Sequence, residues 1–478
     1  MSGWFPLRLC LAVVVLAAGV LVPCTIGAAE DETGQWEAGV GVQNITPQEP
    51  MWMSGYGGRD RPAEGKLTDL WAKAVVIQDP QGKQLAAVGL DLVGIDRETS
   101  LAVRQQLCRK HGWDLSQIAL FTSHTHTGPV VGRNLGAMYF LSDDQWKQVD
   151  EYTEQLKRAI VAAVDAAVAD LEPCELAWGE GRTDFAVNRR ENREPQVPEL
   201  REAGQLKGPN DHAVPVLRIT RVGKASGEGD QKSSLKAIVF GYACHATVLS
   251  FYQWSGDYPG FAQIELQRRY PGAVAIFWAG CGADQNPLPR RTVELAQRYG
   301  RQLADAVAET LSGELQPLRG SLAAAYREVD LPLSDLPSRA QLETDTQSNN
   351  RFIAQRAKLL LEQLGDKGLL ASTYPYPVQT WRLGSKLRWV ILGGEVVVDY
   401  SLELKDALGL GTWVAGYAND VMAYIPSRRV LREGGYEGAT SMIYYGLPTT
   451  WAPDLERLIV EQVRQQVERT AAKAPRGG

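Results

Sequence analysis

Short apolar runs alternate with charged, helix-type segments through the first half of the chain, and this alternation restricts the fold more than any other feature. The runs are bounded by turn residues and rich in β-branched side chains, so they predict buried strands. Strands are predicted at Ala74–Ile77, Leu85–Val93, Ile118–Phe121, Val214–Ile219, Leu235–Tyr242 and Ala273–Trp278. Helices are predicted at Glu98–Lys110, Asp143–Asp170 and Arg291–Leu311. The pattern predicts an α/β fold with mixed sheets flanked by helices.

A second part of the chain begins near residue 316 and combines strands and helices in a different order. Further strands are predicted at Leu322–Val329, Leu387–Leu392 and Thr412–Tyr417, and helices at Arg339–Leu364 and Asp454–Lys473. A Gly/Ser/Lys segment at Gly223–Ser234 predicts an exposed loop. We therefore expect a leader at residues 1–29, followed by two parts of one domain at 30–315 and 316–478.

The first residues are typical of an export signal. Arg8 is followed by the apolar run Leu9–Val22 and then by small residues at 27–29, and the run is too short to span a membrane. The expected product is therefore an exported protein, periplasmic or extracellular. Lipid attachment at Cys24 is an alternative, although Pro23 and the downstream Ala-Ala pair favour ordinary cleavage.

Composition excludes several classes of protein. Four well-separated cysteines follow the leader, Cys108, Cys174, Cys244 and Cys281, which is too few for a disulfide scaffold, although one bond remains open. A hydrophobic content of 44% is ample for a packed interior. A formal net charge of −6 and the lack of a basic run argue against a nucleic-acid partner. The 13 tryptophans either line a groove or, more commonly, pack in the interior.

Two of the five histidines in the chain lie in the stretch FTSHTHTGP, from Phe121 to Pro129. This stretch follows a predicted strand, and ligands of open α/β sheets bind at the carboxyl ends of strands. Residues two apart on an extended chain share a face, so His124 and His126 are able to address one centre. The spacing is consistent with metal ligation and equally with two hydrogen-bonded loop histidines.

A third histidine also follows a predicted strand. His245 comes directly after Leu235–Tyr242 and the neighbouring Cys244, which is either a rival ligand or a small buried side chain. Two strand ends that carry histidine favour a zinc site more strongly than a single such strand end. His212 is interpreted as a loop residue, and His111 as a helix-terminal residue.

Three glycine-rich strand ends add carboxylates and hydroxyls, namely WAGCGADQNP, LGGEVVVD and NDVMAYIPS. Each is also consistent with an ordinary turn, because Gly-Asp, Asn-Pro and Gly-Gly are common turn sequences. Spacing alone does not distinguish a functional site from an ordinary turn at these positions.

The chain resembles the neutral, non-lysosomal ceramidases, zinc amidases that split ceramide into sphingosine and a fatty acid. SHTHTGP is similar to the His-Thr-His-Ser-Gly-Pro motif of that family, and MSGYGGR precedes it, followed by LTDLWAKAVVI. The remaining matching blocks are VNRREN, ACHATVLSFYQWSGDYPG, GCGADQNP, LGGEVVVD and YIPSRRVLREGGYEGA. The blocks occur in the order of the family and span the chain from about Met53 to Ala439.

The resemblance implies a set of site residues. It places the Zn²⁺ ligands at His124, His245, Glu395 and Tyr424. It implies an acid/base or oxyanion-stabilising role for His126, and it places Arg189 in the same pocket. Tyr436 and Asp257 are implied to contact the substrate. Together these residues predict metal-assisted hydrolysis of the amide bond of ceramide or a related N-acyl lipid, with the part of the chain after residue 315 supplying the Glu and Tyr ligands.

Two departures from the family bear on the substrate. The GCGADQNP block has no serine where the family carries one, and the chain ends soon after the catalytic part, so the immunoglobulin-like C-terminal domain is expected to be missing. Two alternatives therefore stay open: a zinc hydrolase acting on another ester or amide, such as a glycan or peptide conjugate, and a non-catalytic binding protein. The expected partner is a small lipid-like amide, with at most peripheral membrane contact.

Overall fold

The computed structural model of the protein describes residues 1–4, 34–223 and 234–472. The predicted export signal, with Cys24, lies almost wholly outside the described residues, as does most of the predicted loop at 223–234.

The main sheet is mixed and contains nine strands of the described residues. The strand order is Val274–Ala279, Leu235–Tyr242, Ala213–Arg221, Glu172–Arg182, Trp36–Asn44, Trp71–Gln78, Gln84–Leu90 and Ile118–Thr122. The ninth strand, Gln316–Pro317, pairs with Glu172–Arg182 outside this order. The two outermost pairs are parallel and the inner pairs are antiparallel. The prediction of mixed sheets in an α/β fold is confirmed.

A second sheet belongs to the later part of the chain. It contains Leu322–Pro332, Thr373–Leu383, Leu387–Leu392 and Thr412–Ala415, in that order. The predicted boundary at residue 316 falls just before Gln316–Pro317, which still pairs with the main sheet. Two shorter pairs lie outside these sheets and concern the site: Gln285–Pro287 with Ala186–Asn188, and Glu395–Val396 with Tyr424–Ile425.

The two larger sheets face each other across an aromatic core. Trp278 and Phe121 of the main sheet pack against Trp381, Trp389 and Trp413 of the second sheet. Each of these side chains is almost fully buried. These tryptophans are therefore core residues, because burying their large apolar surface stabilises the contact between the sheets.

Helices cover the outer faces of both sheets. The described helices are Arg97–His111, Asp143–Ala169, Val197–Glu202, Asp257–Arg269, Val293–Ser312, Arg339–Asp345, Arg351–Lys367, Val398–Leu408, Arg428–Glu433, Met442–Tyr445 and Leu455–Ala472. Helix Asp143–Ala169 packs against the main sheet, and Leu455–Ala472 packs against the second sheet. In the described part of the chain, no helix combines the length and the apolar character needed to cross a bilayer.

The strand Trp36–Asn44 was not predicted, and the structure shows why its pattern is weak. A Cβ atom at Gly39 would lie 1.9 Å from the Ala167 carbonyl oxygen, and one at Gly41 would lie 2.0 Å from that of Ala163. Glycine is required because helix Asp143–Ala169 lies directly on the strand. Glycine lowers the apparent β-propensity of this segment, so the sequence pattern does not indicate a strand there.

The predicted single helix at Arg339–Leu364 is wrong in one respect, because the structure has two helices, Arg339–Asp345 and Arg351–Lys367. Between them lies a run of polar residues ending in Asn350, whose side chain accepts hydrogen bonds from the Phe352 and Ile353 amides. Such side chains compete with helical hydrogen bonds and favour a helix start, so the helix is interrupted there.

Candidate metal centre and pocket

Four side chains from distant parts of the chain converge on one point. His124 follows the strand Ile118–Thr122, and His245 follows the strand Leu235–Tyr242. Glu395 and Tyr424 are direct partners in the parallel pair of Glu395–Val396 with Tyr424–Ile425. All four are buried. The sheet edges therefore assemble the four predicted ligands, although they are up to 300 residues apart in sequence.

The distances at this point suit a metal ion. Oε2 of Glu395 lies 3.1 Å from Nε2 of His124 and 3.1 Å from Nε2 of His245. The Tyr424 hydroxyl lies 3.3 Å from Nε2 of His245. Neighbouring ligand atoms of a tetrahedral zinc, with ligands at about 2.0–2.1 Å, are separated by about 3.3 Å. The spacing of the four atoms is therefore compatible with one shared ion.

The hydrogen bonds of the two imidazoles orient their free nitrogens toward that point. Nδ1 of His124 contacts the Val93 carbonyl oxygen at 2.5 Å, and Nδ1 of His245 contacts that of Gly282 at 2.9 Å. A carbonyl only accepts, so both Nδ1 atoms carry the proton and both Nε2 lone pairs face Glu395. Oε2 of Glu395 is buried without a hydrogen-bond partner. Three acceptor atoms facing one another require a cation between them, so these residues fit a metal.

Electrostatics supports the same assignment. Burial, together with the charge of Arg189, lowers the pKa of His245 to about 4, so its ring is neutral at pH 7. Burial raises the pKa of Glu395, but the neighbouring His124 and His245 outweigh burial and hold that pKa well below its ordinary value. Neutral imidazoles and an ionised carboxylate are the forms that bind zinc.

His126 lies beside this point and is only partly exposed. Its Nε2 atom is 3.1 Å from Nε2 of His124, so His124, His126 and His245 form a cluster able to hold a metal ion. Among the described residues, however, the close carboxylate contacts of Glu395 are with His124 and His245 and not with His126. Burial, followed by the two neighbouring imidazoles, holds the pKa of His126 well below its usual value, so this ring is also neutral.

The backbone at His124 is strained. Its φ of 58° lies in the left-handed region, which costs a non-glycine residue on the order of 1–2 kcal/mol. Tyr417, whose ring packs 4.4 Å from that of His124, has a φ of 54°. Strained conformations persist where the surrounding structure over-determines them, and they cluster at functional sites.

Arg189 lies within reach of the same point and is held by several partners. Its Nη2 donates to the Tyr424 hydroxyl at 3.0 Å, and its Nε donates to Oε1 of Glu437 at 2.8 Å. Its Nη1 donates to Oδ1 of Asn286 at 3.3 Å. These contacts fix the guanidinium plane beside a predicted ligand.

The site opens into a cavity of about 710 Å³. His126, Arg189, His245, Tyr424 and Tyr436 are among the residues that line it. The ring of Tyr436 lies 5.2 Å from that of Tyr424, and its side chain is 40% exposed, so it is available to a bound molecule. The lining contains one aliphatic side chain, Leu288, and is otherwise polar, charged or aromatic, with the glycines Gly55 and Gly435.

Comparisons with known proteins agree with this architecture. The model of the family described as neutral/alkaline non-lysosomal ceramidase, N-terminal, matches residues 36–275, which is half of the chain. The chain belongs to this ceramidase family. Neutral ceramidase 2 of Arabidopsis thaliana is 32% identical over 94 residues, which cover 19% of this chain and 12% of that protein. The matched region is therefore a small part of that relative.

Two solved structures share the fold. The neutral ceramidase from Pseudomonas aeruginosa superimposes with a TM-score of 0.70 at 20% identity, covering 93% of this chain and 76% of that one. A ceramidase complexed with C2 gives a TM-score of 0.70 at 18% identity, with the same coverage of both chains. The resemblance to ceramidases seen in the sequence motifs is confirmed, and the fold of this ceramidase-family chain extends beyond the part that the family model matches.

Of the predicted substrate contacts, Tyr436 lines the cavity and Asp257 does not. Asp257 is fully buried, with a φ of 53°, and its carboxylate accepts hydrogen bonds from the Leu249 amide at 2.8 Å and the Tyr258 amide at 2.6 Å. This placement favours a structural role at the start of helix Asp257–Arg269 over direct substrate contact. The Gly256-Asp257 turn in the sequence carries no signal that distinguishes the two roles.

Other residues of the site were missed from the sequence. The Tyr445 hydroxyl donates a short hydrogen bond to Oε1 of Glu395, and Tyr56 packs 4.8 Å from the ring of His126. A Cβ atom at Gly55 would lie 2.5 Å from Nδ1 of His126, so glycine is required there. Gly55 and Tyr56 lie in the MSGYGGR block, whose position in the motif order was the available signal. No comparable sequence pattern marks Tyr445.

The four cysteines in the described part of the chain are free thiols, and Cys244 is buried.

Proposed function

We propose that the protein is a zinc-dependent amidohydrolase that cleaves the amide bond of ceramide or a related N-acyl lipid. The observation that carries this proposal is the convergence of His124, His245, Glu395 and Tyr424 on one point. Two of these residues, His245 and Tyr424, also line a cavity. Membership of the ceramidase family supports a hydrolase, and the two solved structures that share the fold are ceramidases.

The four converging side chains would hold the Zn²⁺. When bound, the ion lowers the pKa of water toward ~7 and polarises a carbonyl oxygen, which is the chemistry that amide hydrolysis at neutral pH requires.

His126 is the proposed proton carrier. Its neutral ring lies at the cavity wall beside the ligands, so it is able to accept a proton from the attacking water. The water oxygen forms a bond to the carbonyl carbon, the carbon–nitrogen bond breaks, and His126 delivers the proton to the leaving nitrogen. Products are a carboxylic acid and an amine, so atoms and charge balance.

Arg189 and Tyr436 are proposed to position the substrate. Arg189 is cationic, is oriented by its contacts with Tyr424 and Glu437, and donates to the amide oxygen where negative charge develops. Tyr436 lies within 5.7 Å of the Arg189 guanidinium, measured to the ring centroid, and forms the adjacent wall.

The experiment is metal analysis of the purified protein followed by an amidase screen with N-acylsphingosines and simple N-acyl amines of varied chain length. We expect one zinc per chain and amide hydrolysis that is lost in His245→Ala. Hydrolysis that persists in the metal-free protein would overturn the metal assignment. Metal binding without hydrolysis of any tested amide would favour a binding protein instead.

A second candidate function is hydrolysis of another ester or amide, including a glycan or peptide conjugate. The polar lining of the cavity favours it, because a long acyl chain needs apolar surface and Leu288 is the single aliphatic side chain there. We further propose that the preference of the enzyme reaches beyond long-chain ceramide to smaller or more soluble acylated molecules. A clear preference for long-chain ceramide in detergent-free vesicles would contradict this.

Export to the periplasm or the outside of the cell is a separate proposal, supported by the leader sequence.

A further inference from the structure

Tyr56 and Arg291 line one part of the cavity, and the buried Arg59 packs on Tyr56 without lining it; we call Tyr56, Arg59 and Arg291 the Tyr56 wall. The Tyr56 ring centroid lies 4.9 Å from the Arg59 guanidinium carbon and 5.5 Å from that of Arg291. Nη1 of Arg291 also donates to the Tyr56 hydroxyl at 3.3 Å. Since Tyr56 packs directly on His126, this wall is adjacent to the proposed reaction centre.

Arg59 brings a buried positive charge to this wall. It is 6% exposed, and its guanidinium donates to the backbone carbonyls of Ser54, His126 and Phe251. The side chains whose charge acts on Arg59 are tyrosines, so no carboxylate among the described residues neutralises it. Burial lowers the pKa of Arg59 to about 10, and the side chain therefore stays cationic at pH 7.

Arg291 adds an exposed charge at the cavity mouth. Glu194, on which the charge of Arg291 acts, is already bound by Arg290 through three contacts, from Nε at 2.9 and 3.1 Å and from Nη2 at 2.7 Å. Within the described ranges, Arg291 forms no ion pair with a carboxylate. Its φ of 95° is strained for a non-glycine residue, and its amide is tied to the Val248 carbonyl at 2.8 Å. The fold thus accepts strain at the position that presents this guanidinium.

Another part of the cavity lining carries paired charges. Arg189 pairs with Glu437, and Arg190 pairs with Glu433 and Glu437. Two guanidinium groups therefore meet two carboxylates there, whereas the Tyr56 wall has two guanidinium groups and no paired carboxylate. A cavity whose excess charge is positive on one side recruits an anionic group of a ligand.

We propose that the Tyr56 wall is an anion subsite, and that the preferred substrate is an N-acyl amine that carries a carboxylate near the scissile amide. This inference rests on the proposed amidohydrolase function. Arg291 binds the carboxylate at the mouth, and the buried charge of Arg59 strengthens the attraction without contacting it. The scarcity of aliphatic surface in the cavity agrees with a substrate whose recognition depends on charge.

The test compares amides that differ in charge at equal size. N-octanoylglycine carries its carboxylate on the amine half, and N-octanoylethanolamine is its neutral counterpart. N-hexylsuccinamate carries its carboxylate on the acyl half, close to the amide. We expect kcat/KM to be at least about 10-fold higher for one of the two anionic amides than for the neutral one. Which anionic amide is preferred shows which half of the substrate faces Arg291.

Variants then assign the preference to the wall. Arg291→Gln should reduce the anionic-to-neutral ratio of kcat/KM by about 10-fold, and Arg291→Lys should retain part of it. Arg298→Gln is the matched control, because it removes one exposed positive charge that does not line the cavity. We expect the control to keep the wild-type ratio, and 0.5 M NaCl to lower that ratio because salt screens exposed charges.

The outcomes separate this inference from the proposed function. Equal or faster hydrolysis of the neutral amide, or an unchanged ratio in Arg291→Gln, overturns the anion subsite and leaves the amidohydrolase intact. If none of these amides is hydrolysed, calorimetric Kd values decide the subsite, and the proposed function fails only if N-acylsphingosines are not hydrolysed either. In that case tighter binding of N-octanoylglycine than of N-octanoylethanolamine, lost in Arg291→Gln, supports it, and equal Kd values refute it.

Discussion

The Tyr445 hydroxyl donates a short hydrogen bond to Oε1 of Glu395, which leaves Oε2 of the same carboxylate facing the two imidazoles. Residues 50 apart in sequence are thereby joined, and one oxygen of the carboxylate is oriented while the other is free for a metal. Hydrogen bonds of this kind orient metal ligands and tune their affinity.

Replacing Tyr445 with phenylalanine should weaken metal binding while preserving the fold. The variant loses the donor to Glu395, and loss of such a partner costs about 10–100-fold in metal affinity. Chelator competition measures the metal affinity, and the absorption spectrum of bound Co²⁺ reports the ligand geometry. Tyr444→Phe is the matched control, since its hydroxyl does not bond Glu395 and its ring contacts are kept. Equal metal affinity in the two variants would show that Tyr445 is not a positioning residue.

His245→Ala should lose the bound zinc. The variant removes one of the two nitrogen atoms that lie 3.1 Å from Oε2 of Glu395. Elemental analysis of the purified proteins gives the zinc content per chain. His111→Ala serves as a control because His111 contacts Asp165 of helix Asp143–Ala169 and is not part of the site. A zinc content equal to that of the wild type would remove His245 from the site.

His126→Ala should keep the metal and lower turnover by roughly 10²–10⁴-fold, the range for loss of a positioned acid/base group. The reason is that Glu395 closely contacts His124 and His245 but not His126 among the described residues. Zinc content and kcat are measured on the same preparation. If the variant loses zinc as completely as His124→Ala, then His126 is a ligand and the three-histidine cluster binds the ion.

Asp420 should make folding stability depend on pH. Burial raises its pKa to about 7, against the opposing effects of a 2.7 Å hydrogen bond from the Tyr374 hydroxyl and of the Arg97 charge. Asp96 and Glu328 add to the increase. Because this pKa exceeds the unfolded value near 3.9, the folded state binds the proton more tightly, so the stabilisation present below pH 4 is lost as pH rises to about 7.

The comparison is between the wild type and Asp420→Asn, which mimics the protonated side chain. Between pH 5 and pH 8 the wild type should lose up to about 3 kcal/mol more unfolding free energy than the variant, at 1.36 kcal/mol per pKa unit. Urea titrations at the two pH values give the free energies, with Asp454→Asn as an exposed control. Identical pH dependence in the wild type and Asp420→Asn would contradict the shifted pKa.

Much of the fold was predictable because its signals are local. Alternating apolar runs placed strands such as Ile118–Thr122 and Leu235–Tyr242, and helix patterns placed Asp143–Ala169. Strands that were missed, such as Glu172–Arg182 and Thr373–Leu383, contain glycine or proline, and tertiary pairing overrides their weak propensity. The broken helix at Thr346–Asn350 was missed because capping depends on where the chain must turn.

By itself, the sequence determined the α/β class and the family motifs, together with candidate histidines at strand ends, because periodicity and motif order are local properties of a chain. Only the tertiary structure decided that Glu395 pairs in register with Tyr424, that Tyr445 orients Glu395, and that Asp257 is buried outside the cavity lining. It also decided that the guanidinium groups of Arg59 and Arg291 both pack on the ring of Tyr56. Such relationships depend on contacts between segments far apart in the sequence, and these contacts form only when the sheets pack and bring strand ends together.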